Sequence, residues 1–287
     1  MLKNKLLVAA LASSFAALPA LAEDAPAAPA APYTVTGNVG FVTDYVFNGI
    51  SQTFREPAVQ GGFDYVNQNG IYLGTWASNV SGNQYTNASM ELDLYGGYNG
   101  KVNDDLGYQI GPMDVVYPGG KAFNSASGPS KKWDTTEVIF GATYMGVNVK
   151  YTRTLTNWYG IDTNGYTPAM WAAGDTYASW ATGATTANSA NANSKGSGYL
   201  EANYTYTFAG DVALALHAGH QKINNFSLLS YTDYKIGISK PVGGFTLGAT
   251  YTTTNATDNS LYHVKSASGD DKKLGGGILA LSVSRSL

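Results

Sequence analysis

One pattern constrains this chain above all others: beyond residue 33, apolar side chains return at every second position, in twelve separate arms. A period of two belongs to a β-strand with unlike faces. In TVTGNVGFVTDYVF, residues 34–47, one face carries Val35, Val39, Phe41, Tyr45 and Phe47, and the other Thr34, Thr36, Asn38, Gly40 and Asp44. In AVQGGFDYV, residues 58–66, Val59, Phe63 and Tyr65 oppose Gln60, Gly62 and Asp64. The two arms read as a hairpin whose polar tip, 48–57, is expected to be an external loop. Further arms are predicted at 71–80, 89–99, 106–117, 136–145, 147–155, 198–208, 212–221, 232–241, 245–254 and 274–287. Their lengths fall near the 9–11 residues with which a tilted strand crosses a bilayer.

The connections alternate in length. Residues 67–70, 100–105, 146, 209–211 and 242–244 are short and carry the Gly, Asn and Asp of tight turns. Between them lie longer segments at 48–57, 81–88, 118–135, 156–197, 222–231 and 255–273. Short turns on one rim and long loops on the other is the arrangement of an outer-membrane barrel. The predicted fold is therefore all-β, a transmembrane antiparallel up-and-down β-barrel of about twelve strands, with short periplasmic turns and long extracellular loops. After residue 32 no apolar run reaches the roughly 18 residues of a helical span, so strands must do the crossing.

A soluble up-and-down barrel would reverse the faces, with polar side chains outward. The polar face here is mostly small and uncharged, as in Thr246, Gly248, Thr250 and Thr252 opposite Phe245, Leu247 and Tyr251. Charged residues are only 13%, against about 25–35% on a small soluble surface. Such a face suits a confined wet lumen. Aromatics near arm ends, Phe47, Tyr65, Tyr98, Tyr117, Tyr144, Phe208 and Phe245, are expected at the headgroup level. Arg153 falls in the lipid phase and is expected either at the outer rim or at a bulge in the strand. In IYLGTWASNV the phase is ambiguous, with Tyr72 and Trp76 opposite Ile71 and Leu73.

Three segments divide the chain. Residues 1–22 read as a signal peptide, with basic Lys3 and Lys5, an apolar run to Leu18, and cleavage expected after Ala22. Residues 23–32, EDAPAAPAAP, read as an Ala/Pro-rich linker, and 33–287 as the barrel. The expected location is the bacterial outer membrane. The chain has no cysteine, which excludes disulfides and thiolate chemistry, and its acidic balance gives no support for nucleic-acid binding.

The lumen phase places Asp44, Asp64, Glu91, Asp93, Glu137, Lys150, Glu201, Asp233 and Lys235 as pore-lining candidates, able either to set ion selectivity or to brace the wall. Trp158, Tyr159, Tyr166, Trp171, Tyr177 and Trp180 in the 156–197 loop are candidates for a constriction, if that loop folds into the mouth. His217 and His220, three apart on one strand, point to opposite faces and cannot share a metal. No catalytic group, metal site or cofactor is assigned, and no phosphate loop or G-x-S-x-G occurs.

The stretches GNVGFVTDYVFNGISQT, PAVQGGFDY, GIYLGTWASNV, MELDLYGGY, YTDYKIGISK and GGFTLGATYT resemble the TorF family of proteobacterial porin-like proteins. The resemblance implies an outer-membrane porin-like barrel without an assigned solute. Two positions depart from the family pattern: Asn48, where members generally carry Arg, and the terminal Leu287, where outer-membrane strands commonly end in Phe. The expected function is passive diffusion of small hydrophilic solutes or ions. Expected partners are outer-membrane lipid and, during insertion, the barrel-assembly machinery. The alternative is a structural or adhesive barrel displaying its loops; a barrel hydrolase ranks lower.

Overall fold

The computed structural model describes residues 32–121, 131–162, 193–256, 261–266 and 268–287. The expected signal peptide and nearly all of the linker lie outside the described residues. In chain order the strands are β1 (Tyr33–Val42), β2 (Val46–Phe47), β3 (Ile50–Ser51), β4 (Ala58–Asn67), β5 (Ile71–Asn79), β6 (Met90–Lys101), β7 (Leu106–Val116) and β8 (Thr135–Tyr144). They continue as β9 (Val147–Thr154), β10 (Gly198–Thr207), β11 (Ala213–Lys222), β12 (Tyr231–Val242), β13 (Phe245–Thr254), β14 (His263–Lys265), β15 (Asp271–Lys273) and β16 (Ile278–Ser286).

Twelve of them, one for each predicted arm, close into an antiparallel barrel in the order β1-β16-β13-β12-β11-β10-β9-β8-β7-β6-β5-β4. The pairs β2–β3 and β14–β15 are small hairpins within the long connections. Closure is made by β1 on β16, in register from Asn38↔Ser286 to Val42↔Ser282. Among the described residues there is no α-helix, only two single 3-10 turns.

The alternation sorts side chains as the sequence predicts. Val35, Val39, Phe41, Val59, Phe63, Ile236, Leu247, Tyr251, Leu279 and Leu281 are all exposed on the outside of the barrel. An apolar band open to the surroundings on every side is a lipid-facing surface. Tyr72 and Trp76 point inward and are buried, which settles the phase of β5. Arg153, one residue from the end of β9, is exposed at the long-loop rim, where a charge on the lipid face costs little.

At the short-turn rim Tyr98, Tyr144, Phe208 and Phe245 are exposed, and Tyr33 stacks on Tyr65 at 5.6 Å. This is an aromatic girdle. Two expected members are not part of it. Tyr117 is buried inside the barrel, 1% exposed. Phe47 belongs to the β2–β3 hairpin rather than to the wall.

Glycines permit one close approach between neighbouring strands. A Cβ on Gly111 of β7 would meet the Gly96 carbonyl oxygen of β6 at 1.9 Å. Backbone cannot yield as a flexible side chain can.

Gly111→Ala is therefore expected to destabilise the folded barrel by about 1–3 kcal/mol, read as a shift in urea unfolding from lipid vesicles. Gly107→Ala, whose added Cβ finds only the Gly100 carbonyl at 3.6 Å, is the control and should stay within about 0.5 kcal/mol. On the lipid face, Ile236→Lys should cost about 2–4 kcal/mol in the same assay. An Ile236→Lys barrel as stable as the parent would refute the assignment of that face to lipid.

Candidate functional site

The described parts of the long connections pack into the mouth of the barrel. Ile50, Phe54, Tyr85, Trp133, Trp158, Ile161, Phe226, Leu229 and Tyr262 form one buried apolar cluster with Val42, Tyr45, Tyr117 and Leu274. All six long connections contribute to it. Each puts apolar residues where the chain otherwise has loop composition, and their common burial fills the long-loop mouth with a plug.

The first connection is its centre. The chain leaves the wall at Val42 and bends inward, so Tyr45 is 1% exposed and reaches Glu91 on β6. Tyr45 was expected on the lipid face; the correction follows from the strand ending three residues earlier, after which the period of two no longer applies. Asn48 and Gly49, with φ of 45° and 81°, make the turn of the β2–β3 hairpin. Asn-Gly is the pair best suited to a turn with two positive φ angles. A Cβ on Gly49 would meet Cβ of Asp233 on β12 at 2.7 Å. β6 and β12 stand six strands apart in a ring of twelve, so this connection spans the mouth from wall to opposite wall. The polar tip expected outside, 48–57, thus lies largely inside, with Ile50, Ser51, Gln52, Thr53 and Phe54 buried.

Asp44 organises the turn. It is a loop residue rather than a wall residue, and its Oδ1 accepts hydrogen bonds from Ser51 Oγ (2.6 Å) and Thr53 Oγ1 (3.1 Å). Arg55 lies 3.8 Å from its Oδ2. Burial raises the Asp44 carboxyl above its ordinary range, against the lowering effect of these partners. Arg55 also donates to the carbonyls of Lys273 (2.9 Å) and Gly275 (2.8 Å), while Lys272 donates to Phe54 O (3.1 Å) and to Glu56 Oε1 (2.6 Å). First and last long connections are clamped together.

Aromatic contacts carry the plug across to the other side. Tyr85 stacks on Tyr117 at 4.4 Å, meets Trp133 edge-on at 5.6 Å, and its hydroxyl donates to Gln52 Oε1. Of the constriction candidates, Trp158 is buried and Tyr159 packs 6.0 Å from Tyr117, both inside the mouth. Tyr166, Trp171, Tyr177 and Trp180 lie outside the described residues.

Around and beneath the plug the lumen phase places charged groups on two walls. On β9–β12 they are paired: Lys150 with Glu201, Glu201 with His217 Nδ1 (3.5 Å), and His217 Nε2 with Asp233 Oδ2 (2.9 Å). Tyr199 donates to Asp233 Oδ1 at 2.8 Å, and Asn203 Oδ1 lies 2.7 Å from His217 Nδ1. Lys235 sits in register with His217 on the same inner face. His217 lies in the lumen and His220 outside, as their spacing predicts. His263 pairs with Asp271 in the β14–β15 hairpin.

The β4–β8 wall differs. Asp64 accepts from Tyr95 (2.7 Å), and Glu91 from Tyr45 (2.6 Å) and Tyr117. Asp93 is 3% exposed, and its Oδ1 has no hydrogen-bond partner. Glu137 on β8 faces the same corner, with Glu91 and Glu137 both within electrostatic reach of Asp93. The eight wall candidates are thus all inward-facing, as one braced half and one acid-rich half. Of the residues that hold these acids, Tyr199 and Asn203 carry no expectation from sequence, while Tyr45 and Tyr117 are expected on the outer side. Their signal is a tyrosine or amide on the same strand, on a nearby strand or just past a strand end, which only register makes visible.

The family model described as a bacterial protein of unknown function (Gcw_chp) matches residues 26–275. No curated protein matches the sequence. Among solved structures, the KdgM porin is similar at a TM-score of 0.46 and 9% identity, over 88% of this chain and 99% of that one. The NanC porin is similar at 0.45 and 9%, over 88% and 98%. OccK2 of Pseudomonas aeruginosa, solved in complex with glucuronate, is similar at 0.36 and 13%, over 91% and 69%. At such scores these likenesses say nothing about solute or mechanism. The family match covers most of the sequence, and the chain belongs to the Gcw_chp family of bacterial proteins of unknown function.

Proposed function

We propose that this barrel resides in the bacterial outer membrane, short turns toward the periplasm, as a narrow porin-like channel for small hydrophilic solutes or ions, of the kind the TorF resemblance implies. The observation that carries the reading is the reversal of faces: an apolar exterior around an inner surface of Thr, Asn, Gln, acids and lysines. A barrel wall with a wet inside and a greasy outside is a conduit. Along the inner wall six inward carboxylates, Asp64, Glu91, Asp93, Glu137, Glu201 and Asp233, stand against two lysines, Lys150 and Lys235. Negative potential focused by a low-dielectric wall favours cations.

The plug narrows that conduit and favours a mostly closed channel. It equally favours the second reading, a structural or adhesive barrel that displays its loops and conducts nothing.

Reconstitution in planar bilayers separates the two. The expected result is small, infrequent conductance steps with a reversal potential shifted toward the cation under a salt gradient; folded protein without steps would overturn the channel, and anion preference would overturn the acidic lumen. Arg55→Ala removes the Arg55 half of the clamp between the first and last long connections and leaves the Lys272 half. It should raise the open fraction by about 5- to 30-fold, the effect of one or two kcal/mol of lost contact. An unchanged open fraction would show that the plug does not limit conduction.

A further inference from the structure

Among the wall carboxylates, Asp93 stands apart. Asp64, Glu91, Glu201 and Asp233 each have a hydroxyl, imidazole or ammonium donor at hydrogen-bond or ion-pair distance. Asp93 is as deeply buried as Glu91, and its Oδ1 is left without a donor. An ionised carboxylate removed from water costs several kcal/mol unless a cation or donors replace its hydration. Lys150, whose charge acts on Glu137, is already engaged by Glu201. Among the described residues the corner therefore gathers more acceptor oxygens than charged donors.

Its shape argues for the kind of cation. Among the described residues no three acids or histidines converge tightly enough to hold a metal ion. Glu91 and Asp93 lie two residues apart along β6, and Glu137 comes from β8, two strands away. Acceptors spread in this way suit a group with several N–H donors rather than a point charge. Trp76 is the register partner of Asp93 on β5, and Tyr45 meets its indole edge-on at 5.3 Å. An aromatic face beside a carboxylate adds cation–π attraction and an apolar surface, which organic cations use and hydrated sodium uses poorly. Toward the short-turn rim the inner face opens, with Thr36 exposed and Asp64 and Tyr95 half-buried. The corner is part of the floor of the plug, since Trp76 and Val115, the register partners of Asp93, belong to the same buried cluster as Tyr45 and Tyr117, and that floor is what a solute from the short-turn side meets.

We propose that Asp93 and Glu137, with Glu91 behind them and Trp76 alongside, form a binding site for a small organic cation of the guanidinium or primary-ammonium type. The proposal rests on the reading of a solute-accessible lumen, but it needs no conduction through the plug. The competing occupant of Asp93 is a proton, which would make the carboxyl a neutral wall group.

The test is calorimetric titration of the folded full-length chain in detergent with methylguanidinium chloride and with methylammonium chloride, using sodium chloride at equal ionic strength as reference. Saturable binding of either organic cation, with quenching or shift of tryptophan fluorescence, is expected for the parent. Asp93→Asn should weaken it about 30-fold or more, the loss that follows removal of one partner of a buried charge pair. If Asp93→Asn does not fold, Glu137→Gln replaces it with the same expected direction. No saturable binding by the parent, or parent-like affinity in the folded variant, would overturn the site. Bilayer recordings keep the two proposals apart: conductance without binding removes the site and leaves the channel, and binding without conductance removes the channel and leaves the site.

Discussion

The structure depends on one seam. β1 meets β16 over five register pairs, half the ten that join β1 to β4 on its other side. Three further hydrogen bonds lengthen it: Leu287 N to Gly37 O at 2.8 Å, Thr43 N to Leu281 O at 2.9 Å, and Leu281 N to Thr43 Oγ1 at 2.9 Å. Without that closure two strands would present unpaired backbone to lipid, where each orphaned group costs several kcal/mol. Leu287 contributes through its backbone, so this bond does not depend on its side chain. Closure then dictates everything inside, because a ring of twelve strands leaves a lumen too wide for the wall side chains alone and open to filling from the rims.

Two solutions to that interior are stacked along the axis. Toward the long loops it is filled with apolar and aromatic side chains, much as a soluble protein fills its core, supplied by connections rather than by strands. Toward the short turns it stays polar, and where the two meet the charges are handled unequally: the β9–β12 half pairs Lys150, Glu201, His217 and Asp233, while the β6–β8 half gathers acids. Glu91 joins the halves of the axis, since both tyrosines that hold it, Tyr45 and Tyr117, belong to the plug.

Much of this was legible in the residues. Twelve arms, the alternation of short and long connections, the lipid phase and the inward set of acids are all local signals, and a period of two survives wherever a strand is regular. The errors fall where the strand stops. Tyr45 and Phe47 continue the alternation in letters but not in space, because the wall ends at Val42. Tyr117 stands one residue past the end of β7 and turns inward. The plug left a trace in Ile50, Phe54, Ile223, Phe226 and Leu229, apolar residues in segments of loop composition, but what they pack against depends on contacts far apart in sequence. Pairing partners such as Tyr199 with Asp233 need the register of three strands and cannot be read from any one of them.

A plug built jointly by all six long connections also limits how this protein can change over generations. Exterior loops of membrane barrels are ordinarily free to drift one at a time, since each touches mainly water. Here a substitution at Tyr85 is felt by Gln52, Tyr117 and Trp133, each in a different connection or at a different strand end. Neighbours in one packed cluster do not respond additively to substitution. The buried parts of the six loops are thus tied to a common rate of change, and the freedom to vary is left to their outermost residues.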